Sequence, residues 1–195
     1  MAKRKSTSKK STRSKTTGWS TKLVQDIWPQ ERDFFERPER YRYVRKLLPS
    51  SACVFCDAAE ADLGPESLVL ARDAETMVVM NKYPYNTGHL LILPLEHIGN
   101  LWELSESVVA RLAWWQKQSV QILKEVLNCQ GFNLGLNHGA VAGAGIPDHL
   151  HWHVVPRWGG DTNFFPLIAE TKCLPETLEQ TYGRLCPLFA KRMKK

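Results

Sequence analysis

No stretch of the 195-residue chain stays apolar for the ~20 consecutive residues that a membrane-spanning helix needs. The N-terminus also has no apolar core of the signal-peptide kind. A cytoplasmic protein without membrane contact is therefore expected. Cysteine is scarce and odd in number. Cys53, Cys56, Cys129, Cys173 and Cys186 are scattered along the chain, which argues against a disulfide framework and for a reducing compartment. No glycine-rich loop of the P-loop type occurs, which argues against an ordinary kinase or ATPase.

Acidic residues are absent from residues 1–17, where Lys3, Arg4, Lys5, Lys9, Lys10, Arg13 and Lys15 stand among serines and threonines. These seven cations account for the formal charge of +6. Taking them from the total of 26 leaves 19 basic residues against 20 acidic ones. The body of the chain is thus mildly acidic. A segment this polar has little apolar surface to bury, so residues 1–17 read as a disordered basic tail. Two readings of it remain, a loose nucleic-acid tether and a solubilising tail. The second is favoured, because no aromatic side chains interleave the charges to stack on bases.

What is present begins with a hydrophobic content of 43%, enough for one packed domain with extensions. Residues 18–50 form an irregular helical pattern, with Trp19, Leu23, Ile27 and Trp28 at helical spacing until Pro29, and a further break at Pro38. This extension is expected to pack on the domain or on a partner subunit. The body spans 51–170. Leu68–Ala71 and Thr76–Asn81 suggest a hairpin, and His89–Pro94 a short buried strand. Ser105 is the expected N-cap. From it, Val108, Leu112, Trp115, Ile122, Leu123, Val126 and Leu127 mark a long amphipathic helix ending near Asn128. Phe132–Asn137 is a further strand. The remainder, 171–195, is expected to hold a helix from Pro175 to about Met193 and a basic end.

Chemistry concentrates in two places. Cys53-Val54-Phe55-Cys56 offers two thiols three positions apart, read as lying on a turn. They are half of a zinc site, unpaired cysteines, or a redox pair; no convincing helix opens after them to support the last. The second place is Asp148-His149-Leu150-His151-Trp152-His153-Val154-Val155-Pro156-Arg157-Trp158, preceded by a glycine-rich loop with Gly139, Gly143 and Gly145. On a strand the three histidines would share one face, with Leu150, Trp152 and Val154 on the core side. A metal cage is one reading. Yet His149 and His153 start roughly 13 Å apart along a straight strand, too far to chelate together. The other reading makes the middle imidazole a nucleophile toward phosphorus, with the Gly143-Ala144-Gly145 backbone facing the developing charge. Trp158 follows the segment and is either a base-stacking ring or core. His138 reads as structural. Asp161 and Asn163 read as turn caps.

His149-Leu150-His151-Trp152-His153-Val154-Val155 resembles the signature of the histidine triad superfamily of nucleotide hydrolases and transferases. Met80-Asn81-Lys82, Thr87 to Pro94 and Pro94-Leu95-Glu96-His97-Ile98 resemble that family's other elements, in its order. The resemblance runs from about Cys53 to Phe165. Within the superfamily, Arg157 to Phe164 is similar to the bacterial branch that resembles diadenosine tetraphosphate phosphorylases.

The resemblance implies an α+β fold: an antiparallel sheet of about five strands with the long helix packed on it and helical extensions at both ends. It also implies a nucleotidyl transferase or hydrolase acting on dinucleoside polyphosphates through a nucleotidyl-histidine. His151 would be the nucleophile and His153 its phosphate-side partner. Asn81, His89 and Asn137 would line the nucleotide pocket, and Gly145 would offer its N–H to phosphate. Some members with a CxxC bind zinc, which here would fall to Cys53, Cys56, His97 and His149. Family members usually dimerise, so a homodimer is expected. One departure stands out. Many family hydrolases carry Ser or Thr three residues before the first triad histidine, where this chain has Ile146. Phosphate instead of water is therefore the favoured acceptor. A nucleotide- or zinc-binding module without turnover is the alternative.

Overall fold

The computed structural model describes residues 53–162 and 174–194. The basic tail, the extension over 18–50, Asn163 and Cys173 lie outside the described residues. In chain order the elements are α1 (Val54–Glu60), β1 (Val69–Arg72), β2 (Thr76–Met80), β3 (Leu90–Pro94), α2 (Glu106–Leu127), β4 (Gly131–Leu136), β5 (Trp152–Arg157) and α3 (Leu178–Met193). Short 3₁₀ turns at Leu101–Glu103 and Ala140–Ala142 precede α2 and follow β4. No helix among the described residues is long and apolar enough to cross a membrane.

The five strands form one antiparallel sheet in the order β1-β2-β3-β5-β4. The fold is the α+β class expected from the sequence. Every residue of β2 and β3 is buried, because these central strands are covered on both faces. One face carries α2. Its Ser105 cap accepts the Val108 N–H, and Asn128 closes it in the left-handed region, as an Asn tolerates better than most residues. Leu112, Trp115, Ser119, Ile122 and Leu123 recur at three- and four-residue steps and are buried, the stripe expected of a helix lying on a sheet. The α3 helix locks onto the same unit. Tyr182 donates to the Val69 carbonyl at 3.0 Å, and Phe189 stacks on Trp115 with centroids 6.0 Å apart.

Three element boundaries differ from the sequence expectation. The CxxC is not on a turn: Cys53 is the N-cap of α1, and Val54 to Glu60 are helical. The C-terminal helix begins at Leu178, not near Pro175, because Thr177 and Gln180 form a reciprocal capping box there. Most consequential, β5 begins at Trp152. Its ladder partners are Ile92 on β3 and Leu136 on β4. His149 and His151 lie upstream of the strand, so only His153 belongs to it.

Gly88 shows how tightly the β2–β3 loop sits on α2. Its φ is +77°, and a Cβ there would stand 2.4 Å from Leu127 Cδ1. Only glycine accommodates both conditions. That loop delivers Tyr85 and His89 to the opposite face.

Candidate active site and metal centre

The sheet face away from α2 carries a cross-strand row. Val79 pairs with Leu91, Leu91 with His153, and His153 with Gly135. Directly opposed residues project to the same side. Above this row lies a cavity of about 380 Å³, walled by Val54, Phe55 and Ala58 of α1, by Asn81, Lys82, Tyr83 and Tyr85, and by Asn137, Gly143, Gly145 and Ile146. His151 and His153 form part of its lining. A concave, mostly apolar pocket with a few convergent polar groups is where a small molecule binds.

The three histidines divide in two directions. His151 is 6% exposed. Its Nδ1 lies 2.9 Å from the His149 carbonyl. A carbonyl only accepts, so Nδ1 carries the proton and the lone pair sits on Nε2. Burial pushes the His151 pKa down, against a smaller upward pull from that hydrogen bond. The ring is therefore neutral near pH 7. His153 is held from behind. The Tyr85 N–H donates to His89 Nδ1 at 3.1 Å, which leaves His89 Nε2 as the donor to His153 Nδ1 at 2.9 Å. His153 is then left with its proton on Nε2. The two triad rings meet edge to face at 5.2 Å.

His149 turns the other way. Its Nε2 lies 2.9 Å from the Pro94 carbonyl, so the bare lone pair is on Nδ1. That atom faces Cys53 Sγ at 3.4 Å and Cys56 Sγ at 3.7 Å. His97 Nδ1 lies 3.3 Å from Cys56 Sγ. The four ligand atoms fall within 4.8 Å of one another. Zinc bonds of about 2.3 Å to sulfur and 2.0 Å to nitrogen put S and N about 3.5 Å apart on a tetrahedron. The observed sulfur–nitrogen distances straddle that value, so the residues fit a tetrahedral zinc ion. The Pro94 carbonyl supplies the outer hydrogen bond that fixes a metal-binding imidazole. Burial pushes the Cys56 thiol up to about 11, helped by Cys53, Asp57 and Glu60; a bound cation would reverse that balance.

Phe55 joins the two halves. Its ring lies 5.4 Å from His149 and 5.0 Å from His151. The residue sits between the two cysteines, where an apolar ring in sequence carries no signal that distinguishes it from core. Tyr85, 4.8 Å from His89 and 6.1 Å from His153, lies in a turn-rich loop whose sequence signals only the turn.

The structure brings Asn81, Asn137, Gly143, Gly145, His151 and His153 to one cavity. Gly143 takes φ +90° at the end of the 3₁₀ turn, a conformation suited to glycine. His89 does not line that cavity but stands behind His153, 1% exposed. Trp158 is not brought there either. It packs against the core, and its indole N–H reaches the Leu127 carbonyl at 3.4 Å. His138 accepts the Leu101 N–H at 3.5 Å and meets Trp102 edge-on, a structural placement. Asp161 caps the turn after β5 by accepting the Trp158 N–H.

Comparison with known proteins agrees with this arrangement. Residues 64–160 match the model of the HIT domain. The chain is 40% identical over 127 residues to proteins named AP-4-A phosphorylase from two strains of Mycobacterium tuberculosis. The match covers 65% of this chain and 65% of the relatives, so the chain spans just under two thirds of their length. A Zn-bound histidine triad family protein from Mycobacterium smegmatis has the same fold, with a TM-score of 0.59 at 24% identity, over 73% of this chain and 96% of its own. A histidine triad nucleotide-binding protein described as hypothetical, from Sulfolobus tokodaii, gives a TM-score of 0.56 at 27% identity, over 73% and 92%. The domain match and the 40% identity, together with His151 and His153 set in this cavity, place residues 64–160 in the histidine triad (HIT) family.

Proposed function

We propose that the protein is a nucleotidyl transferase that cleaves dinucleoside polyphosphates by phosphorolysis. The observation that carries this reading is the His149 carbonyl bonded to His151 Nδ1. It presents a neutral imidazole with its lone pair on Nε2 in a cavity large enough for a nucleoside.

The reaction proceeds in two transfers. His151 Nε2 attacks the α-phosphorus, forming a P–N bond as the bond to the bridging oxygen breaks. For diadenosine tetraphosphate the bridging oxygen leaves with its electron pair as ATP, and adenylyl remains on the histidine. An oxygen of inorganic phosphate then attacks the same phosphorus, the P–N bond breaks, and ADP forms while His151 recovers its lone pair. His153, with Nε2 protonated by the relay from Tyr85 through His89, donates a hydrogen bond to the α-phosphate. The Gly143 and Gly145 backbone faces its developing charge. Asn81 binds the ribose hydroxyls, and Phe55 with Val54 and Ala58 walls the base. Ile146 supplies no hydroxyl beside the leaving group, which favours phosphate as the acceptor over water.

Zinc held by Cys53, Cys56, His97 and His149 is structural in this reading, since all four positions of a tetrahedron are filled by protein. It would tie α1 to the segment before β5. The relative from Mycobacterium smegmatis described as Zn-bound supports this assignment. A homodimer fits β4, which ends the sheet among the described residues, where a strand edge can pair with a second strand; sedimentation at monomer mass would count against it.

The test is incubation with diadenosine tetraphosphate, with and without inorganic phosphate. Phosphate-dependent formation of ADP and ATP in equal amounts is expected. Products formed equally well without phosphate would make the protein a hydrolase. No turnover of any nucleotidyl substrate would leave a binding module.

A further inference from the structure

The 380 Å³ cavity is not closed off at its His153 wall. A second, shallower cavity of about 400 Å³ shares Tyr85, Asn137 and His153 with it. Its floor follows from strand alternation. His153, Val155 and Arg157 lie two apart on β5 and face the same way. Opposite them on β4 stand Gly135, Asn133 and Gly131. Glycine at both ends keeps the floor low, and Asn133 rises in the middle. At about 3.3 Å per residue, the row runs about 13 Å from His153 to Arg157.

The far end of the row is a preset guanidinium. Arg157 donates from Nε and Nη2 to Asp161 at 2.6 and 2.8 Å, and from Nη1 to Asn133 Oδ1 at 2.7 Å. Asp161 is fixed in turn by the Asn86 amide at 2.9 Å and the Trp158 N–H at 3.2 Å. The Arg157 hydrogen bond, with these others, holds the Asp161 carboxyl well below the usual carboxylate range. Three of the five guanidinium N–H groups are thus committed, while the side chain stays 42% exposed. A pair this close carries little net charge, so it selects a ligand by hydrogen-bond direction more than by attraction. A planar fork recognises phosphate in that manner.

We infer that this groove is the subsite for the departing half of a dinucleoside polyphosphate, with its distal phosphates laid along the His153–Val155–Arg157 face and bound by Arg157 and the Asn133 amide. The inference rests on nucleotidyl transfer at His151. One nucleoside and the α-phosphate fill the first cavity. The leaving oxygen departs on the far side of phosphorus from His151 Nε2, roughly in line. The groove leads away from the wall that holds His153. A mononucleotide seated in the first cavity stops at that wall, whereas a chain of several phosphates continues to Arg157.

Calorimetric binding of AMP and of a methylene-bridged, uncleavable diadenosine tetraphosphate to the full chain tests this. Asn133→Asp sets a carboxylate on the track from an exposed edge-strand position. Arg157→Lys keeps the charge and loses the fork. The ratio of dinucleotide to AMP affinity is expected to fall about tenfold in Asn133→Asp, equivalent to about 1.4 kcal/mol, and several-fold in Arg157→Lys. An unchanged ratio in Asn133→Asp overturns the inference even if Arg157→Lys folds poorly. So does a wild-type protein that binds both ligands equally. Turnover of diadenosine tetraphosphate by the wild type, measured separately, tells a failed groove from a failed reaction.

Discussion

His149 and His151 are two residues apart and present opposite nitrogens. His149 gives its Nε2 proton to the Pro94 carbonyl and turns Nδ1 to the thiols. His151 gives its Nδ1 proton to the His149 carbonyl and keeps the lone pair on Nε2. Both rings are buried, and burial lowers the pKa of each. Chemically identical side chains in one segment thus acquire two tasks from the acceptors around them. One end of the segment belongs to a cluster of four side chains whose spacing fits a metal ion, and the other faces an open cavity. The carbonyl between them is shared, since His149 holds His151 by its own backbone.

If the two ends are separate in function, they should come apart under mutation. His151→Ala should reduce turnover of diadenosine tetraphosphate by about 10⁴-fold, the scale for losing a catalytic nucleophile. Its zinc content, measured by elemental analysis of purified protein, should be unchanged. A variant that loses both would merge the two ends.

Cys53→Ser should do the reverse. Bound zinc should fall from one per chain to near zero. A site held at 100 times its dissociation constant contributes about 2.7 kcal/mol, so the thermal midpoint should drop by roughly 5–11 °C for a chain of this size. Turnover at low temperature should fall less than in His151→Ala. Unchanged zinc in Cys53→Ser would remove the metal from the account.

His89→Ala probes the transfer end alone. It removes the donor to His153 Nδ1 and should lower kcat by about 10²-fold, a general acid–base scale. The effect on AMP binding should be smaller, and zinc should stay. An unchanged kcat would make His89 a packing residue only.

A change remote from both ends should move stability and nothing else. Asp73 joins the β1–β2 turn to α2, accepting from Arg111 at 2.7 Å and Trp115 at 2.8 Å. Burial alone would raise its pKa. The bonds from Arg111, Trp115 and the N–H groups of Glu75 and Thr76 outweigh that and hold it at about 2. The folded pKa lies below the unfolded one. Its stabilisation is therefore complete above about pH 4 and is lost as pH falls toward 2. Asp73→Ala should cost about 1–3 kcal/mol at pH 7, and its urea midpoint should fall less than the wild type's between pH 4 and pH 2. Parallel acid limbs would show that Asp73 does not titrate as described.

Much of the fold could be read along the chain. The α2 helix was legible because Ser105 and the stripe from Leu112 to Leu123 are local signals that tertiary packing reinforces. Strand ends shifted by a residue or so, because a strand stops where its partner stops. The histidine strand departs further from its sequence pattern. Alternation from His149 to Arg157 looks like one strand, yet β3 and β4 meet it only from Trp152 onward, and the segment before is free to turn His149 toward Cys53. Trp158 could not be placed from sequence, since an indole that reaches Leu127 and one that reaches a base look alike in one dimension.

The sequence by itself determined the chemical inventory: three histidines at two-residue spacing and a CxxC, with His97 as the fourth candidate ligand and Ile146 in place of a hydroxyl once the family resemblance is drawn. It also determined the helix and strand periods that make an α+β sheet fold. The tertiary structure decided which nitrogen of each histidine is available. That choice depends on an acceptor supplied from elsewhere in the fold, and for His149 it is a carbonyl at Pro94, on a strand 55 residues earlier. Only packing brings such partners within a hydrogen bond.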